Sequence, residues 1–207
     1  GARISLIIAA VSVAVNLVIG VVYGAISGYC GGKIDIFLTH LAEVLDGMPY
    51  VVVTILFMLV FGAGMFSIIL AMTVTGWIGT SRLIRAQFYR FKGREYVLAA
   101  RTMGVPDKTL IFRHILPNVV SLLIVSMTLD FATCMLTEST LSYLGFGIPL
   151  PTPTWGNLLN GANNSIVIQQ YWWRWVFPAA IFGICTICIN LVGDALRDAV
   201  DPKSAER

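Results

Sequence analysis

Runs of about 20 apolar residues restrict the fold of this chain more than any other feature. The first, "ISLIIAAVSVAVNLVIGVVYGAIS" (Ile4–Ser27), contains no charged residue. A helix rises about 1.5 Å per residue, so such a run crosses a hydrocarbon core of about 30 Å. Within that core each backbone N–H and C=O must be satisfied by the chain itself, which favours helical spans. Composition agrees: 12% of the 207 residues are charged and 57% are hydrophobic, whereas a water-soluble domain carries about 25% charged residues. A chain of this length has room for five or six spans.

Five can be placed, at about Ile4–Ser27, Ile36–Phe61, Phe66–Ser81, Asn118–Thr137 and Trp173–Gly193. The expected fold is all-α, a polytopic transmembrane helical bundle. Gly20, Gly24 and Gly28 form a small-xxx-small pattern that admits a close helix; they read equally as tolerated glycines. The second span is uneven. "IFLTHLAEVLDGMPY" puts His40, Glu43 and Asp46 in its first half, expected near the interface, and Pro49 should break or kink it. The third span should continue as a basic helix to about Tyr89.

The charges orient these spans. Eight of the 14 Lys and Arg residues lie between Arg82 and Arg113, and basic loops mark the cytoplasmic side. Residues 82–117 and the tail "DALRDAVDPKSAER" are therefore expected in the cytoplasm, with residue 1 outside. The start lacks a signal-peptide layout, and a sixth span missing before residue 1 would explain that orientation. Glu138–Trp172 becomes the longest outer segment. Pro149, Pro151 and Pro153 stiffen it, and "YWWRW" reads as an interfacial aromatic belt.

The sequence has no phosphate-binding P-loop, no HExxH and no G-x-S-x-G. Cys185 and Cys188 form a CxxC in an apolar run with no second pair and no nearby His, so they read as apolar filler rather than a zinc site. Nucleic acid is not an expected partner, because the basic cluster is flanked by spans. Asp130 lies mid-span in "MTLDFATCM". A carboxylate there should face a polar cavity or a subunit interface. Asp130, Glu138 and Ser142 are the candidates for lining a polar path between helices.

One segment is neither span nor simple loop: "EYVLAARTMGVPDKTLIFRHILPN", residues 95–118. Gly93 can open a helix. Tyr96, Ala99, Ala100 and Met103 then share a face. Gly104 suits a left-handed stop, and Pro106 fits the first turn of a second helix. Leu110, Ile111, His114 and Ile115 line that helix, and Pro117 begins the next span. The spacing predicts two short helices with a sharp corner at Gly104. A face of small residues ringed by Arg and Lys suits a partner's groove. The alternative is a helix lying on anionic lipid, for which bulkier residues than Ala99 and Ala100 would serve better.

These residues resemble the EAA loop of the permease subunits of binding-protein-dependent ABC importers: Ala-Ala, a Gly four residues on, then Ile-Leu-Pro. "EYVLAARTMG", "RHILPN", "LTESTLSYLGFG", "PTPTWGNLL" and "NLVGDALRDAVDP", in that order, resemble the C-type permease of the oligopeptide and dipeptide branch. The similarity runs over essentially the whole chain. One departure is plain: Leu98 stands where the family's loop carries Glu.

The resemblance implies one permease domain over residues 1–207, incomplete at its N-terminus, with a coupling loop over residues 93–117. It implies that Glu95, Tyr96, Ala99, Ala100, Arg101, Met103, Gly104, Asp107, His114 and Pro117 couple the chain to an ATPase, and that the chain itself is not an enzyme. The implied partners are a second permease subunit, two cytoplasmic P-loop ATPase subunits that bind ATP and Mg, an extracytoplasmic substrate-binding protein and membrane lipid. Peptide import is the expected function. Nickel or another small solute remains open, because relatives in this branch carry such cargo. The readings from other classes are an ion-driven carrier, which needs paired membrane carboxylates, and a scaffold that recruits a cytosolic protein.

Overall fold

A computed structural model describes residues 1–200; residues 201–207, the end of the expected cytoplasmic tail, lie outside the described part. Among the described residues every regular element is helical. In chain order they are α1 (Ala2–Cys30), α2 (Gly32–Asp46), α3 (Tyr50–Phe61), α4 (Met65–Lys92), α5 (Glu95–Thr102), α6 (Asp107–Thr109), a π-helical stretch (Leu110–Ile115), α7 (Leu116–Tyr143), α8 (Trp155–Asn160), α9 (Ser165–Gln170) and α10 (Trp173–Val200).

Helices α1, α4, α10 and the continuous helix Asp107–Tyr143 are each long and apolar enough to cross a membrane. The pair α2 and α3, bent by 81°, makes a fifth crossing if taken as one span. The bend falls where it is expected. Pro49 caps α3 with extended backbone, and its ring and missing N–H prevent α2 from running on.

The α1–α4 seam organises the bundle. A Cβ at Gly20 would stand 2.8 Å from the Thr80 Cβ, and one at Gly28 would stand 2.7 Å from the Arg85 carbonyl and the Phe88 Cβ. Between them, a Cβ at Gly24 would press on the Ser81 carbonyl. The three glycines are thus a packing face. Without side chains they let the α4 backbone approach, and dispersion contacts replace lipid there.

The Asp107–Tyr143 helix departs from expectation at two points. The second helix of the basic loop is not a separate short element that stops at Pro117; it runs directly into the span. Pro117 has no N–H to donate and would clash with a regular preceding turn. The π-helical stretch widens that turn, and the Leu116 N–H reaches the Ile111 carbonyl five residues back. Asn118 Nδ2 also donates to the His114 carbonyl at 2.7 Å. At the far end, Glu138 and Ser142 belong to the last turns of α7 rather than to an outer loop.

Helix α8 closes over those turns. Thr154 is fully buried and caps α8 by accepting from the Asn157 N–H at 3.1 Å. Gly156 lets α8 lie directly on Ser142 and the Tyr143 backbone. Along α10, by contrast, Phe177, Ile181, Ile184, Ile187 and Leu191 are exposed. Apolar side chains in that arrangement suit contact with lipid.

Candidate functional site

Helix α5 has an inner and an outer side. Val97 and Ala100 are buried and join Tyr29, Ile84, Phe88, Leu110, Ile115, Val119 and Leu123 in one core cluster. Glu95, Tyr96, Leu98, Ala99, Thr102 and Met103 are exposed, Met103 to 77%. The expected Ala99–Ala100 face is therefore split. A step of one residue turns a helix by about 100°, so Ala99 points out while Ala100 is held in the chain's own core. Leu98, in the place of the family's Glu, is on the outer side.

Gly104 forms the corner, with φ +80°. The Gly104 N–H donates to the Arg101 carbonyl at 3.0 Å, and the Val105 N–H donates to the Ala100 carbonyl at 3.2 Å. This is the paired Schellman stop, which requires a left-handed residue. Val105 then packs against the core cluster that contains Ala100. A Cβ at Gly104 would meet nothing within 4 Å, so its backbone conformation, and not space, calls for glycine.

Arg101 and Asp107, expected to face a partner, are turned partly inward to Tyr29 at the end of α1. The Tyr29 hydroxyl donates to Asp107 Oδ1. Arg101 Nη2 lies 3.5 Å from that hydroxyl and 3.6 Å from Asp107 Oδ1. Lys92 Nζ donates to the Tyr29 carbonyl. Arg101 and Lys92 also sit 5.8 Å and 5.5 Å from the Tyr29 ring centre, within cation–π range. One tyrosine thus ties α1 to α4, α5 and α6. Among the remaining expected coupling residues, His114 is half-buried within the π-helical stretch, and Pro117 is exposed just beyond it.

A second hub was not legible in the sequence. Asp35, on the first turn of α2, is buried. It accepts from Arg85 Nε at 2.5 Å and Arg85 Nη2 at 2.6 Å, from the Tyr89 hydroxyl at 2.6 Å, and from Ser27. The bidentate guanidinium pair is the strong form of this contact. It joins α1, α2 and α4 beside the loop. The only local signal was an acid at the start of an apolar helix, and its partners lie as far as 54 residues away.

The path candidates do not form one group. Glu138 and Ser142 are sealed, 0% and 1% exposed, with Ser142 Oγ donating to Glu138 Oε1 at 2.7 Å. Neither lines an open path in this conformation; Gly156 of α8 lies directly on Ser142. Asp130 is half-buried on the wall of a cavity of about 390 Å3.

A bundle of apolar helices with a short polar helix lashed across one end has the build of a transporter's membrane component. The chain belongs to the family of binding-protein-dependent transport system inner membrane components, whose model matches residues 20–206. It is 43% identical over 203 residues to the oligopeptide transport system permease protein OppC of Bacillus subtilis (strain 168), covering 98% of this chain and 66% of that protein. To the dipeptide transport system permease protein DppC of the same organism it is 42% identical, covering 98% and 63%. The chain thus spans less than two thirds of the length of either relative. In fold it is similar to the MetNI methionine ABC transporter in inward-facing conformations, with a TM-score of 0.79 at 16% identity, covering 96% of this chain and 94% of that one. An amino acid ABC transporter gives a TM-score of 0.68, also at 16% identity, covering 95% and 91%.

Proposed function

We propose that this chain is a non-catalytic permease subunit of an ATP-driven peptide importer. In this reading the outer face of α5, with the Gly104 corner, is its contact with a cytoplasmic ATPase. Residues 82–117 and the C-terminus lie in the cytoplasm. A second permease subunit completes the path, and an extracytoplasmic binding protein delivers the peptide. ATP and magnesium are held by a pair of P-loop ATPase subunits. The peptide assignment is supported by the named activities of OppC and DppC, relatives at 43% and 42% identity.

The observation that carries the coupling role is the two-sided build of α5. Its inner side, Val97 and Ala100, is fixed on the bundle, while Leu98, Ala99 and Met103 are exposed apolar groups with no partner in this chain's core. A helix anchored on one side and bare on the other can transmit a push. When ATP closes the ATPase pair, α5 is carried with it. Tyr29 and Asp35 pass that displacement to α1, α2 and α4, and the helix Asp107–Tyr143 carries it toward Asp130. The bundle swings from inward-open to outward-open, takes peptide from the binding protein, and resets on hydrolysis.

Cysteine cross-linking in membranes that perform uptake tests the reading. Ala99→Cys and Met103→Cys should form adducts with a P-loop ATPase, and Ala100→Cys should not. Uptake-competent membranes with no such adduct would sink the assignment. A scaffold without transport would give the adduct but no ATP-driven uptake.

A further inference from the structure

One face of α7 is polar along most of its length. Ser126, Asp130, Thr133, Thr137 and Thr140 follow one another in steps of three or four, so they form a single stripe. Thr133, Thr137 and Thr140 donate their hydroxyl protons to carbonyls one turn back. That leaves their oxygen lone pairs turned outward as acceptors.

The middle of this stripe opens into the cavity of about 390 Å3, whose other walls include Asn16 of α1, Tyr50 of α3 and Thr75 of α4. Three features make it rich in acceptors. Thr80 Oγ1 and Ser126 Oγ both donate to the same carboxylate oxygen, Asp130 Oδ2, at 3.4 Å and 3.3 Å. The other oxygen is left available. Asn16 is 6% exposed, and its Oδ1 has no partner. The Tyr50 hydroxyl is also buried without a partner. A buried acceptor without a donor is costly, so Asn16 Oδ1 marks a place where a ligand supplies a donor, while the Tyr50 hydroxyl can turn its oxygen to a ligand's N–H as well.

The charge narrows the ligand. One carboxylate lines the cavity and no Lys or Arg does. Among the described residues no three His, Cys, Asp or Glu gather as metal ligands. A single negative charge among neutral oxygens matches a monocation with several N–H donors. A primary ammonium has three and no acceptor. The volume falls in the range of small-molecule sites.

We propose that Asp130, Asn16 and the hydroxyls beside them bind the primary ammonium group of the imported solute during its passage through the membrane. This rests on the import reading above, and it assigns the cavity a substrate chemistry: the free amino terminus of a peptide.

Cys134 lines the same cavity and reports on it. The assembled transporter, with Cys30→Ser, Cys185→Ser and Cys188→Ser in this chain, is placed in proteoliposomes. Labelling of Cys134 by cationic aminoethyl and anionic sulfonatoethyl methanethiosulfonate is compared, each relative to its rate on free cysteine. The cationic reagent should react roughly ten-fold faster, the scale of a single nearby charge in a partly shielded site, and Asp130→Asn should abolish the preference. Alanyl-alanine should protect Cys134, and its N-acetylated form should not. Equal labelling by the two reagents, or equal protection by the two peptides, overturns the proposal. Both comparisons are made without the Asp130 variant, so they hold even if that variant fails to fold. ATP-driven uptake by the same vesicles judges the import reading separately: its absence sinks that reading, while the labelling ratio still judges the site.

Discussion

The Tyr29 hydroxyl donates to Asp107 across 78 positions of sequence. It thereby fastens the end of α1 to the first residue of the helix that becomes α7. Tyr29→Phe keeps the ring beneath Arg101 and Lys92 but removes this bond. A shielded hydrogen bond to a charged group contributes about 1.5–3 kcal/mol; the Asp107 side chain is 64% exposed, so about 1 kcal/mol is expected. Amide exchange over residues 95–107 should therefore accelerate roughly five-fold. Membrane insertion should be unchanged and ATP-driven uptake reduced. Unchanged exchange would show that the bond does not hold the loop.

Asp35 and Arg85 should be energetically coupled. Removing one partner of a fully buried pair costs about 3–5 kcal/mol. The Arg85 side chain is 37% exposed, so about 2 kcal/mol is expected for Asp35→Asn. Arg85→Lys should lose most of it, because an ammonium cannot reproduce the fork. A double-mutant cycle on the detergent-solubilised complex measures the coupling, and strict additivity would contradict it.

Gly24 and Gly79 should respond in opposite ways to alanine. A Cβ at Gly24 would collide with the Ser81 carbonyl, whereas one at Gly79 meets nothing within 4 Å. Overpacking the α1–α4 seam should cost about 1–3 kcal/mol. Gly79→Ala should be neutral or slightly stabilising, since alanine is the better helix former. Thermal unfolding of the two purified variants separates these outcomes.

Gly104→Ala should strain the corner by about 1–2 kcal/mol, the penalty of a left-handed Cβ, and lower uptake while leaving the spans intact. Gly93→Ala is the control: its φ is −88° and a Cβ there meets no neighbour. Gly104→Pro should abolish uptake, because proline cannot reach a positive φ. Wild-type uptake in Gly104→Pro would remove the corner from the mechanism.

Ala99→Arg and Ala100→Arg distinguish contact from support. On the proposed function, Ala99→Arg leaves α5 folded and blocks the ATPase face, so loop exchange is normal and uptake is lost. Ala100→Arg drives a charge into the core beside Val97 and Phe88, so the loop itself should open and protease sensitivity should rise near residues 93–106. The same protease pattern in both variants would erase the distinction between the two sides of α5.

Much of the architecture was legible because lipid leaves few solutions. The apolar runs marked the spans, Pro49 marked the broken one, and Gly104 marked the corner, each through backbone chemistry that acts within a few residues. The run from Asp107 into α7 was misread because Pro117 locally reads as a start. The widened π-helical turn that carries the helix through it leaves no pattern in the sequence.

The sequence by itself determined the spanning helices and the stop at Gly104, since hydrogen-bond satisfaction and left-handed backbone are local properties; it left Gly20, Gly24 and Gly28 open between a packing face and tolerated glycines, and only their contact with α4 settled it. Only the tertiary structure decided the inside and outside of α5, the gathering of Ser27, Arg85 and Tyr89 on Asp35, and the burial of Glu138 with Ser142. It also decided that Asn16, Tyr50 and Asp130 face one cavity. Those outcomes depend on which helices meet and at what rotation, and a helix's own residues do not fix that rotation. The neighbour does, by burying one stripe and leaving another bare.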